Sequence, residues 1–384
     1  MSRRGPLDNL VVLDLTRVLA GPYATMVLAD LGARVIKIEA PEGGDDARHF
    51  GPFVNGRSTY FMSLNRGKES IALDLKQPGD RTLLEQLVAR ADILVENYRP
   101  GTMDKLGLGW KRLEAINPRL VYAAVSGFGH TGPYSRRAAY DMVVQGMGGI
   151  MSVTGHPGAE PTRVGTSIGD ITAGLFGLAG ILSAIIDRQR TGKGAFVDVG
   201  MLDCQVAILE NAISRYLAEG TVPQPLGARH PSIAPFEAFA TADGHIIIAA
   251  GNQALFERLS AALDRPELAR DPEFATNELR TRNHARLKQE IEAALAARET
   301  AEWLRLIDEA GVPCGPINTI ADVVADPHVA ARNMIVQAHD PVAGEVRMAG
   351  NPIKMSGFDD PRERARAPEL DADRARVLAL LETP

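Results

Sequence analysis

Short apolar runs and longer amphipathic segments alternate along the first part of the chain. Residues 10–15 (LVVLDL) have the length and apolarity of a strand. Residues 20–31 follow with helical spacing and Pro22 in the first turn, where a missing N–H costs nothing. Residues 34–39 (RVIKIE) read as a second strand, so the three segments form a β-α-β unit whose simplest pairing is parallel. A strand at 70–75, a helix at 81–89 and strands at 92–96 and 120–126 continue the alternation. Such a pattern predicts a doubly wound α/β domain.

From Gly174 to Ile186 no residue is charged, and small residues alternate with large ones. Thirteen such residues are too few to span a bilayer and predict a helix packed tightly in a core. Residues 187–194 form a basic turn that ends it, and a strand at 195–199 and an apolar helix at 201–218 come next. The texture changes at Pro223, Pro225, Pro231 and Pro235, which mark a crossing segment. Residues 236–250 read as a hairpin turning at Asp243-Gly244, followed by amphipathic helices at 255–263, 282–297 and 300–310. Another helical piece at 322–328 and a Pro/Gly-punctuated β segment at 336–361 close the chain. The later part is thus a smaller α+β domain.

Composition narrows the class. The chain has 384 residues, enough for about two domains, and is 45% hydrophobic and 23% charged with a net charge of −6. No basic tract suits nucleic acid, and two cysteines make neither a disulfide framework nor a zinc site. The eight histidines show no metal-ligand spacing, so no metal is expected. Arg3 and Arg4 precede no apolar stretch, so a cytoplasmic protein without a secretory signal or membrane association is expected.

Glu39 ends the second strand where a dinucleotide fold keeps its ribose-binding acid, but the first βα turn, from Thr16 to Pro22, lacks the G-x-G-x-x-G that would cradle a pyrophosphate. Three polar clusters stand at strand ends: 73–76, 97–101 and 126–134. With Lys76, Arg99 and Lys105 they suit an anionic, phosphate-bearing ligand. Cys204 lies inside an apolar helix and reads as structural, and His130 sits in a glycine-rich loop as a surface residue or a ligand contact. Asp170, directly after Gly169 at the start of the apolar helix, is either a helix cap or a reactive carboxylate. As a nucleophile it would attack an activated acyl group held beside it, with N–H groups of Gly127–Gly129 receiving the oxyanion.

Several motifs together resemble CoA-transferase family III, the group that includes formyl-CoA:oxalate and dicarboxylate CoA-transferases and, as a cousin, α-methylacyl-CoA racemase. They are Leu13-Asp14-Leu15-Thr16-Arg17-Val18-Leu19-Ala20-Gly21-Pro22, Val35-Ile36-Lys37-Ile38-Glu39, Leu64-Asn65-Arg66-Gly67-Lys68, Glu96-Asn97-Tyr98-Arg99-Pro100-Gly101, Ser126-Gly127-Phe128-Gly129 and Gly169-Asp170. The resemblance runs along essentially the whole chain, to Gly315-Pro316-Ile317-Asn318 and beyond. It implies an α/β fold: a Rossmann-like large domain whose parallel sheet is built from both chain ends (1–222, with a C-terminal return at 331–384), a smaller α+β domain (223–330), and an interlocked homodimer.

By the same resemblance Asp170 is the covalent nucleophile and coenzyme A thioester is a substrate, with no prosthetic group. The positions implied for CoA are Arg17, Leu19, Ala20, Leu73, Lys76, Asn97, Tyr98, Arg99, Lys105, Gly127, Phe128, Gly129, His130, Arg137 and Tyr140. The racemase branch carries a histidine base where this chain has Tyr140, so transfer is favoured over racemisation. Leu19, and Ala249-Ala250-Gly251-Asn252-Gln253 where the formyl-CoA enzymes carry a glycine run, speak against the formyl-CoA and oxalate pair. The expected substrates are succinyl-CoA and a dicarboxylate or hydroxy-dicarboxylate. An acyl-CoA racemase, and a CoA-binding protein without turnover, are the alternatives.

Overall fold

The computed structural model describes residues 5–382; the Arg3-Arg4 pair lies outside them. The chain forms two compact units. The main sheet of the first has six strands: β1 (Val11–Asp14), β2 (Arg34–Glu39), β3 (Glu69–Ala72), β4 (Ile93–Glu96), β5 (Val121–Ser126) and β6 (Ala195–Gly200). They make one sheet in the order β3-β2-β1-β4-β5-β6, parallel throughout. β3, β4 and β5 are buried along their whole length, as expected of strands covered on both faces.

One expectation is overturned. All six strands lie between Val11 and Gly200, so the sheet is not built from both chain ends. The C-terminal return adds a separate hairpin, β10 (Ile335–Asp340) with β11 (Gly344–Ala349), and a final helix, α10 (Arg374–Glu382), whose Val377 joins the core beside Ile71 and Leu87. The β punctuation at 336–361 was legible, but a strand can join either its own hairpin partner or the sheet edge, and sequence does not tell which.

Helices cover both faces. α3 (Pro78–Val88) packs Leu84, Leu87 and Val88 on one side. On the other lie α1 (Ala20–Asp30) and α5 (Ile168–Thr191), which sink Ala24, Val27, Leu28, Leu178, Ile181 and Ile185 against Val12, Val35, Val95 and Ala123. Each large apolar side chain so buried contributes about 1.5–3 kcal/mol. α1 and α5 approach closely because Gly174 has no side chain: a Cβ there would stand 2.6 Å from the Ala20 carbonyl oxygen.

α5 is 24 residues long, extending beyond the uncharged stretch at both ends until Gly192 closes it in a left-handed conformation (φ 72°). Length and composition alone would let it cross a membrane, yet its inner face is part of the core. Arg188, 6% exposed, donates to the Asp92 carboxylate (2.9 Å) and the Arg119 carbonyl (3.0 Å). Several short helices escaped the sequence pattern, among them α2 (Thr59–Asn65), capped by the Ser58 hydroxyl, and α4 (Asp141–Met147). The apolar stretch after β6 is two helices, α6 (Met201–Ile208) and Glu210–Glu219, separated at Leu209.

The second unit comprises Val153–Thr162 and Gln224–Asp326. Its three-stranded sheet pairs β7 (Phe236–Ala240), β8 (His245–Ala249) and β9 (Cys314–Pro316) in antiparallel fashion, with the hairpin turn at Asp243-Gly244. Helices α7 (Gln253–Ala262), α8 (His284–Leu295) and α9 (Thr300–Glu309) bury Phe256, Ile291 and Trp303 against Phe239 and Ile248.

Candidate active site

In a sheet ordered 3-2-1-4-5-6 the connections reverse direction between β1 and β4, and the crevice beyond their carboxyl ends is where such folds take ligands. Here the Asn97 side chain, just after β4, clamps the turn that follows β1. Its Oδ1 accepts from the Arg17 N–H and its Nδ2 donates to the Arg17 carbonyl, both at 2.8 Å. Val18 is held at φ 67°, a strained value for a β-branched residue, by its N–H to Asp45 Oδ1 (3.0 Å).

Beneath this turn Asp14 is fully buried. Its carboxylate accepts from the Thr16 N–H (2.9 Å), the Thr25 hydroxyl (2.7 Å) and Lys68 Nζ (2.8 Å). Burial draws Lys68 down to about 8, although the adjacent Asp14 opposes it. Two of the motifs quoted above thus meet in a single ion pair that fixes the floor of the turn. Glu39 is engaged by both nitrogens of Arg48 (2.8 and 2.7 Å) and by the Ser70 hydroxyl (2.6 Å). It is a structural acid here, not one waiting for a ribose.

A pocket of about 150 Å³ opens beside the turn, lined by Thr16, Arg17, Glu39, Gly43, Asp46 and Tyr98 among others. Arg17 and Tyr98 therefore meet at one cavity, with Asn97 fixing Arg17 from below. Leu19 leads into α1 and Ala20 is buried under α5. Leu73 points into the core and reaches the strand edge only through its backbone, whose N–H donates to the Glu39 carbonyl. Lys76, Arg99 and Lys105 are exposed at the ends of β3 and β4.

The loop after β5 is a second grouping. Arg137 lies over the rings of Tyr134 (4.8 Å) and Phe128 (5.5 Å), and Tyr140 is 78% exposed. Gly127 must be glycine, since a Cβ would fall 2.3 Å from that of Ala139. The His130 N–H donates to Asp198 (2.9 Å), so that amide is committed, and His130 Nε2 stands 3.9 Å from the Glu96 carboxylate. Burial raises Glu96 to about 7.

Asp170 is the third residue of α5, not its cap. The cap position is Ser167, which makes no side-chain capping bond. The capping carboxylate comes from another helix: Asp141, the first residue of α4, accepts the Gly169 N–H at 2.8 Å. Asp141 is held in turn by Gln145 Nε2 (2.7 Å), and Gln145 Oε1 accepts from the Val164 N–H (2.9 Å). Burial, and secondarily the charge of Asp141, raise the Asp170 carboxyl to about 7. The charge of Asp170 also helps to raise Tyr60 on α2 to about 12, behind burial as the main cause. Among the described residues no cation offsets the Asp170 charge. A desolvated, unpaired carboxylate of this kind is a stronger base and nucleophile than an exposed one. Tyr60, Asp141 and Gln145 were not picked out from the sequence as site residues. The only signal was Tyr140, the residue before Asp141, read for the histidine it replaces.

The fold and this carboxylate place the chain among known proteins. The profile of CoA-transferase family III matches residues 7–374, and the chain belongs to that family. It is 49% identical over 375 residues to acetyl-CoA:oxalate CoA-transferase of Acetobacter aceti, covering 97% of this chain and 95% of that protein. It is 42% identical over 354 residues to succinyl-CoA:glutarate CoA-transferase of Mus musculus, covering 92% and 81%. A solved CaiB/BaiF family protein from Brucella suis superposes with a TM-score of 0.86 at 44% identity, over 99% of this chain and 100% of that one. The protein is a CoA-transferase by family.

Proposed function

We propose that the protein moves coenzyme A from succinyl-CoA or a similar short acyl-CoA to a dicarboxylate, with Asp170 as covalent nucleophile. The observation that carries this reading is the Asp170 carboxyl at the mouth of α5, raised to about 7 by burial and by Asp141.

An oxygen of the Asp170 carboxylate adds to the thioester carbonyl and expels CoA thiolate, leaving a mixed anhydride. The thiolate attacks the aspartyl carbonyl of that anhydride, forming an aspartyl-CoA thioester and freeing the donor acid as a carboxylate. The acceptor carboxylate then attacks the aspartyl thioester, and the thiolate released attacks the acceptor's acyl carbon, restoring Asp170. No proton is gained or lost over the cycle. Holding the partners together supplies much of the barrier reduction, since oriented reactants gain about 7–11 kcal/mol over free encounter.

The nucleotide of CoA is assigned to the crevice between β1 and β4, with Arg17 and Tyr98 at its pocket and Lys76, Arg99 and Lys105 as cations for its phosphates. The relatives named above bear on the acyl groups. One is named for glutarate, and the oxalate enzyme restores oxalate to the acceptors to be tested despite Leu19. A homodimer is part of the proposal, supported by exposed apolar side chains on α4 and α5: Met142, Leu175, Phe176 and Ile186.

The test is an incubation in heavy water of the protein with succinyl-CoA, a chiral branched acyl-CoA and a panel of carboxylic acids, read by mass spectrometry. New CoA esters without deuterium at the α-carbon are expected. Deuterium wash-in without a new ester would establish racemisation and overturn the reading.

A further inference from the structure

Gln145 is fully buried on α4, four residues after Asp141 and therefore on the same helix face. A primary amide withdrawn from water is costly unless its groups are bonded. Both ends of this one are used, and the neighbours dictate its orientation. The NH2 must face the Asp141 carboxylate and the oxygen must face the Val164 N–H, because the flipped amide would set oxygen against oxygen and donor against donor.

Gln145 therefore ties together two things that determine how Asp170 is presented. One is the carboxylate that caps α5 through Gly169. The other, through Val164, is the segment from 163 to 167 that leads into α5. The space is tight: a Cβ on Gly169 would stand 2.7 Å from Val144 Cγ2 and 2.9 Å from Asp141 Oδ1.

We propose that Gln145 is a positioning residue for the nucleophile, holding the Asp141 carboxylate in place under the first turn of α5 and the preceding segment in register with it. This rests on Asp170 being the nucleophile. Among the described residues packed around α5, the other titratable groups are Tyr60 on α2, Tyr23 on α1, Cys204 on α6 and, at the far end, Asp92 paired with Arg188; Asp141 is the one whose charge raises Asp170. Without the amide N–H, Asp141 Oδ2 loses its donor in a buried place, and the carboxylate is free to swing away from the first turn of α5. Its charge then no longer opposes ionisation of Asp170.

The experiment compares Gln145→Leu with the wild type and Asp141→Asn, measuring kcat, KM for the acyl-CoA, and kcat/KM from pH 5 to 9. For Gln145→Leu, kcat is expected to fall about ten- to a hundredfold, the scale of a misplaced reacting group, with KM within about twofold. Its acid limb should move to lower pH, as in Asp141→Asn, and the double variant should move no further. An unchanged kcat, or a lower kcat with an unmoved limb, overturns the proposal. Gln145→Met, unbranched and of similar length, carries the same readouts if the leucine variant does not fold. Full activity in Asp170→Asn would instead refute the nucleophile itself, whatever the Gln145 variants do.

Discussion

Replacing Asp141 by Asn removes one negative charge beside Asp170; the Asn Oδ1 still accepts the Gly169 N–H, while its NH2 takes the place of the oxygen that accepted from Gln145 Nε2, so that bond is lost. Asp170 stands at about 7 against an ordinary 3.8, with burial as the larger cause and Asp141 as the smaller. Two charges a few ångströms apart interact by up to about 4 kcal/mol at an effective dielectric constant of ~20. Only the minor share of the displacement is electrostatic, so a change of about 1.4 kcal/mol, or one pH unit, is expected. As the proposed nucleophile Asp170 must be ionised, so activity is expected to fall as pH drops through its pKa. The acid limb of kcat/KM, which reports the free enzyme, should therefore lie near 7 in the wild type and about one unit lower in Asp141→Asn. At pH 6 the ionised fraction would rise from roughly a tenth to a half, about fivefold. Glu96, also near 7, is untouched by the change and serves as an internal reference. Steady-state kinetics with a buffer series of constant ionic strength reads this directly. A limb that stays in place, or moves up, refutes the electrostatic account.

Three further outcomes are expected. Because Asp170 is raised in the folded state, its ionisation costs stability above about pH 7 and nothing below its ordinary 3.8. Asp170→Asn should therefore melt higher than the wild type at pH 8, with the gap closing as pH falls towards 4; an equal gap at both would contradict this. Lys68→Met strands the buried Asp14 charge and should cost about 3–5 kcal/mol in urea unfolding; a loss below about 1 kcal/mol would mean the pair is dispensable. Asn97→Ala frees both sides of the Arg17 peptide and should raise KM for the acyl-CoA severalfold with kcat nearly kept, whereas an unchanged KM would remove the crevice between β1 and β4 from the CoA site.

The framework of the first unit was legible because its strands are short, apolar and separated by helices of conventional length. The prediction for residues 34–39 coincides with β2, and Ala20 begins α1 as read. The hairpin at Asp243-Gly244 was announced by its turn residues. What was not legible lies in short helices and in partners distant along the chain. α2 and α4 have seven residues each, too few for a helical period to stand out, and they carry Tyr60, Asp141 and Gln145. Asp170 was found because a carboxylate at the mouth of an apolar helix is conspicuous, but the sequence left open whether it was itself the cap; the capping acid is Asp141, 28 residues before Gly169. The roles of Leu73 and Asn97 within the protein were not legible either: the Leu73 side chain fills the core, which leaves its backbone for any ligand contact, and the Asn97 side chain clamps the Arg17 backbone.

The central claim is that Asp170 carries the acyl and CoA groups covalently. The most direct measurement is hydroxylamine trapping: the protein is incubated with succinyl-CoA, treated with hydroxylamine, digested and mapped by mass spectrometry. The account predicts a hydroxamate at Asp170 that depends on succinyl-CoA and is absent from the Asp170→Asn variant. Turnover of succinyl-CoA with an unmodified Asp170, or with the hydroxamate on another carboxylate, would contradict it.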